Sequence, residues 1–158
     1  MSENTLQVYT IYIRAPRQKV WEAITTSEYS TRWGYGGGVE VDLVPGGLYR
    51  NLTTDEMKQM GMGDVAVEGR VVAAESPARL ELEWAPTWHP ESKPTRLVWE
   101  LTEYPGLTKV VLTHDLSAAP EYALEVLGGS HPGQGGGGWP WVLSDLKTLL
   151  ESGEPMAA

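Results

Sequence analysis

Three times along this chain, two alternating apolar and polar runs are separated by only a few turn residues. Val39–Val44 and Gly47–Leu52 flank Pro45-Gly46, Asp64–Glu75 and Arg79–Ala85 flank Ser76-Pro77, and Thr95–Glu103 and Leu107–Leu116 flank Pro105-Gly106. A parallel crossover needs roughly a dozen residues or more, so links this short permit only antiparallel hairpins. The stretch TLQVYTIYIR (5–14) alternates in the same way and reads as a further strand.

Two helical signals bracket the strands. Ala15-Pro16 opens a helix whose inner face carries Val20, Ala23 and Ile24, followed by a short second helix through Ser27–Trp33 with Ser27 as its cap. The run Gly34–Gly38 ends that pair. Near the C-terminus, Trp139, Val142, Leu143, Leu146, Leu149 and Leu150 recur at helical spacing over 139–152, with Gly153 as the stop. Ser144, Asp145, Lys147, Thr148 and Glu151 are assigned to the polar face.

The order is therefore strand, helix pair, six strands, long helix. This predicts an α+β fold in which a seven-stranded antiparallel sheet wraps the long C-terminal helix, with two short helices after the first strand. At 158 residues the chain reads as one domain, 1–158, with a core over about 5–153 and a C-terminal tail at 154–158.

Bulk chemistry excludes several function classes. A net charge of −9 without clustered Lys and Arg argues against nucleic acid. No stretch approaches the ~20 apolar residues of a membrane span, so membrane insertion is not expected. The absence of cysteine and of a visible signal peptide fits a cytoplasmic protein.

Strand parity places the long connections Thr53–Gly63, Pro86–Pro94 and Ser117–Gly138 at one end of the sheet. They carry Met57, Met60, Met62, Trp88, His89, Tyr122 and His131, an apolar content that suits either the mouth of a pocket or a plug over the core. Alternation turns Trp84, Trp99, Leu112 and His114 toward the helix. For Tyr49 and Arg50 both phases are open, with Tyr49 inward the one favoured. Trp33, Tyr49, Met57, Met60, Met62, Trp84, Trp88, Trp99, Leu112, His114, His131, Trp139 and Leu143 are the candidate ligand contacts.

His114 is also the candidate acid–base residue, since an inward imidazole beside a cavity titrates near neutrality; its alternative is a hydrogen-bonded core histidine. The three histidines lack metal-ligand spacing, so no metal is expected. The Gly135–Gly138 run lacks the Lys-Ser/Thr ending of a phosphate loop, so it reads as a hinge and no cofactor is expected.

IYIRAPRQKVWEAIT (11–25), PGGLYR (45–50), EGRVVAAESPARLELEW (68–84), VVLTHDL (110–116) and GWPWVLSDLKTLLESG (138–153) occur in this order. Together they resemble the START-like, polyketide-cyclase-related superfamily, and within it the branch named after the activator of the heat-shock-90 ATPase. The resemblance implies a helix-grip fold and a cavity between sheet and helix that binds a small hydrophobic, aromatic or polyketide-like molecule. Two alternatives stand beside this reading, the second resting on the acidic outer face of the chain. One is a cyclase or dehydratase using His114, and the other is a co-chaperone-like interaction module with a protein partner. Either a monomer or a homodimer is compatible.

Overall fold

The computed structural model describes residues 5–129 and 137–156 and contains a seven-stranded antiparallel sheet. Its strands are β1 (Leu6–Ile13), β2 (Val39–Val41), β3 (Leu48–Leu52), β4 (Val65–Glu75), β5 (Arg79–Pro86), β6 (Thr95–Tyr104) and β7 (Leu107–Asp115). Their spatial order is β1-β7-β6-β5-β4-β3-β2, so consecutive hairpins lie side by side and β1 closes the far edge against β7. The helices are α1 (Arg17–Thr25), α2 (Ser27–Ser30), α3 (Asp55–Gln59), α4 (Ala123–Leu127) and α5 (Gly138–Ser152).

The core forms where the apolar stripe of α5 meets the inward side chains of the sheet. Leu80, Leu82, Leu97, Val110, Leu112 and Leu146 are fully buried. Each such side chain contributes ~1.5–3 kcal/mol by leaving water. Tyr49 takes the inward phase and is buried, while Arg50 stays at the surface in an ion pair with Glu40.

Four features depart from the sequence expectation. First, two of the long connections carry extra short helices. Thr54 caps α3 by accepting from the Met57 N–H at 3.2 Å, and a 3-10 turn at Pro120–Tyr122 leads into α4. Second, Thr26 rather than Ser27 holds the cap position before α2; Ser27 is the first helical residue and donates to the Val39 carbonyl at 2.7 Å.

Third, Asp145 is 2% exposed rather than on the solvent face. One carboxylate oxygen accepts the Gly34 N–H at 2.8 Å and the other the Met156 N–H at 2.6 Å. The residues after Gly153 thus fold back onto α5. Fourth, Gly69, which as a glycine inside a strand run reads as a bulge, marks a close backbone approach instead, and the register of β4 against β5 shifts later, between Val71 and Ala73. A Cβ at Gly69 would lie 1.8 Å from the Glu83 carbonyl oxygen.

Candidate functional site

The loops between β5 and β6 and between β7 and α5 meet at one end of the sheet, as parity requires. Glu125 on α4 accepts the Trp88 indole N–H at 2.7 Å and lies 3.2 Å from His89 Nε2. Ser92 donates to Glu121 at 2.5 Å. Thr87 ties the same loop to β4 by donating to the Val65 carbonyl at 2.8 Å.

Beneath these braces lies a chain of touching rings. Trp84 on β5 has its ring centre 4.9 Å from His114, 5.9 Å from Tyr122, 6.1 Å from Trp139 and 6.3 Å from Trp88. Trp99 meets Trp139 edge-on at 6.1 Å, and His89 stacks on Tyr122 at 5.0 Å. These tilted and edge-to-face contacts each add about 0.5–1.5 kcal/mol to the burial of the rings. They pack between the inner face of the sheet and the first turn of α5.

His114 is fully buried at the centre of this cluster. The indole of Trp139 donates to its Nδ1 at 3.0 Å. Indole nitrogen is only a donor, so Nδ1 carries no proton and the neutral ring holds its hydrogen on Nε2. Nε2–H donates to Thr95 Oγ1 at 2.8 Å. Thr95 donates its own hydrogen to the Trp84 carbonyl at 3.2 Å and accepts the Tyr122 hydroxyl at 3.1 Å. Both ring nitrogens of His114 and the hydroxyls of Thr95 and Tyr122 thus have partners.

Burial pushes the His114 pKa down from 6.5 to about 3, against a small opposing pull from Asp115. The ring is neutral at neutral pH, and neither nitrogen is free to meet a substrate. The expectation of titration near neutrality is corrected accordingly: desolvation outweighs the neighbouring charge. His114 supports Thr95, Tyr122 and Trp139.

The other candidates divide clearly. Leu112 and Leu143 are buried core residues, and Trp99 is buried against Trp139. Tyr49 is buried with its hydroxyl donating to Asn51 at 2.6 Å, and burial raises its pKa. Trp33 donates to the Ala23 carbonyl at 3.0 Å and lines a separate surface depression of about 440 Å³ with Tyr35 and Asp145. Met57 and Met62 are half-buried around α3, whereas Met60 is 76% exposed. His131 lies outside the described residues, as do Gly135 and Gly136 of the expected hinge. Gly138, its last residue, is the first residue of α5, and its N–H donates to the Tyr35 hydroxyl at 3.2 Å.

A depression of about 400 Å³ opens beside the ring chain, lined by Trp88, His89, Pro90, Glu91, Ser92 and Glu121. Thr95 and Tyr122 belong with the site but were not among the candidates. Thr95 shares the inward parity of Leu97 and Trp99, which was signal enough to find it. Among the described residues, no three His, Asp or Glu side chains are grouped to hold a metal ion. No helix among them is long and apolar enough to cross a membrane.

Comparison with known proteins identifies the fold. Residues 14–151 match the family described as activator of Hsp90 ATPase homolog 1-like protein. The crystal structure of CalU16 from Micromonospora echinospora superimposes with a TM-score of 0.69 at 21% identity, over 96% of this chain and 77% of that one. The Aha1 dimer from Colwellia psychrerythraea gives 0.66 at 17% identity, over 94% and 97%. DynU16, from the dynemicin biosynthetic locus, gives 0.66 at 21% identity, over 96% of this chain and 49% of that one. No curated protein matches the chain.

Proposed function

The chain belongs to the activator of Hsp90 ATPase homolog 1-like family, and from that premise we propose that it is a cytoplasmic binding protein for a small apolar molecule bearing an aromatic ring. The observation that carries this reading is the continuous run of rings from buried His114 through Trp84 to Trp88. Trp88 is 43% exposed beside a depression of about 400 Å³. That volume falls in the range of small-molecule sites, roughly 300–1,000 Å³. A planar ligand stacks on Trp88 there, adding one more ring to a cluster the protein has already built.

Deeper entry requires Trp139 to swing away from Trp84 and Trp99, which breaks its bond to His114. Trp139 is then the gate residue and His114 the group that holds it shut. The cyclases of the superfamily make polyketide-like aromatics the first compounds to try.

Native mass spectrometry of freshly purified protein, followed by tryptophan-fluorescence titration with 2-naphthol and with decanoate, tests the proposal. Saturable quenching by 2-naphthol that is lost in Trp88→Ala is the expected result. Linear, unsaturable quenching identical in both proteins overturns it.

A further inference from the structure

The depression beside Trp88 is one-sided in its charge. Glu91 and Glu121 line it together with Trp88, His89, Pro90 and Ser92, and among the described residues of the lining none is Lys or Arg. Lys93 follows in sequence but lies outside the lining. Other carboxylates of the chain are neutralised by partners: Glu40 by Arg50, Glu81 by Arg79 and Arg96, and Glu151 by Lys147. Among the described residues, Glu91 and Glu121 have no Lys or Arg within ion-pair distance.

The hydrogen-bond donors of the lining are spent on the protein's own carboxylates. The Trp88 indole N–H donates to Glu125 at 2.7 Å, and His89 Nε2 lies 3.2 Å from the same oxygen. A carboxylate only accepts, so Nε2 carries the imidazole hydrogen. The Ser92 hydroxyl donates to Glu121 at 2.5 Å and holds that carboxyl below its ordinary 4.5, so it is ionised at neutral pH. An anionic ligand therefore finds no side-chain donor at Trp88 or Ser92. With its N–H occupied, the indole keeps for a ligand only its face, the negative end of the ring quadrupole, which attracts cations.

Resting on the aromatic site at Trp88 proposed above, we infer that the ligand is a cation: an arylalkylamine whose ring lies against Trp88 and whose ammonium group donates to Glu91 and Glu121. Such a molecule supplies the two things the lining lacks, hydrogen-bond donors and positive charge. A fatty acid or aryl carboxylate brings a third negative group to two that are already unpaired. Glu125 acts on the ligand only through Trp88, by fixing the direction in which the indole face points.

Three naphthalenes of similar shape separate charge from ring: 2-naphthylmethylamine, 2-naphthylmethanol and 2-naphthoate, each titrated calorimetrically at neutral pH. The amine should bind about tenfold more tightly than the alcohol, the size expected of an exposed ion pair together with a cation beside an indole face. The carboxylate should bind weakest. In the double variant Glu91→Gln, Glu121→Gln, with its circular dichroism spectrum matched to wild type, the amine-to-alcohol ratio should fall close to one. In Trp88→Ala the saturable heat of the amine should disappear, which separates this site from the general attraction of a chain of net charge −9 for cations. An alcohol that binds as well as the amine, or an undiminished ratio in the double variant, overturns the cation and leaves the aromatic site standing. Amine binding unchanged in Trp88→Ala overturns its placement at this site. No saturable heat from any of the three overturns the aromatic site and the cation together.

Discussion

The Trp139 indole donates to His114 Nδ1 at 3.0 Å, joining the first turn of α5 to the inner face of β7. That one bond sets the imidazole tautomer, and through it the direction of every other hydrogen bond in the Thr95, Tyr122 and Trp84 set. It also joins the two halves of the grip where a ligand would have to enter.

Replacing Trp139 by Phe removes the donor and leaves a buried acceptor without a partner. Such a loss costs about 1–3 kcal/mol. The urea midpoint should fall accordingly, with an unchanged m-value. A midpoint within experimental scatter of wild type would mean that the bond does not hold the gate.

Stability should decline from pH 6.5 downward. His114 is neutral in the fold with a pKa of about 3, while the unfolded ring takes up a proton near 6.5. A depressed folded value means the unfolded state binds more protons below 6.5. The contribution is therefore complete above that pH, shrinks as pH falls toward 3, and amounts to roughly 5 kcal/mol at most. Glu81 and Asp115 are also held below their ordinary 4.5 and 3.8, by Arg96 and Arg79 and by Ser117 respectively. They lose stability only below about those values, so the window between 6.5 and 4.5 isolates imidazole groups. The His114 ring resonances should keep their neutral positions from pH 8 to 5; a midpoint near 6.5 for that residue would contradict the buried network.

Asp145→Ala removes the acceptor of two backbone N–H groups, on half-buried Gly34 and on exposed Met156. A cost of about 2–4 kcal/mol is expected from two lost charge-assisted bonds. Hydrogen exchange should speed up first at those two amides. If exchange there matches wild type, the carboxylate is not what fastens the tail.

Gly69→Ala should destabilise by about 2–3 kcal/mol, because backbone and not a flexible side chain stands in the way. Gly63→Ala, where a Cβ meets nothing within 4 Å, should be close to neutral. Paired thermal melts of the two variants decide this, and equal melting temperatures would refute the close-approach account.

Much of the architecture was legible because period-two runs, Pro-Gly turns and one broad helical stripe each permit few arrangements. The inward set Trp84, Trp99 and His114 followed from parity alone. Asp145 was misassigned because its charge was read before its spacing. It lies three residues after Val142 and four before Leu149, on the buried stripe, and the backbone donors that pay for its burial come from distant segments no local pattern reveals. The short helices α3 and α4 were missed because five residues carry too little periodicity. Parity placed the β5–β6 and β7–α5 connections together at one end of the sheet, yet whether rings plug a cavity or line it depends on side-chain packing across several strands.

The most direct test is a titration of protein labelled with ¹⁵N at its tryptophan indoles, using 2-naphthol as probe. The account predicts saturable shifts concentrated at Trp88, Trp84 and Trp139, with the Trp139 N–H moving away from its hydrogen-bonded position as the gate opens. Absence of saturable shifts at all three indoles, while the protein remains folded, would contradict a ligand site at this mouth and leave the aromatic cluster as a sealed end of the core.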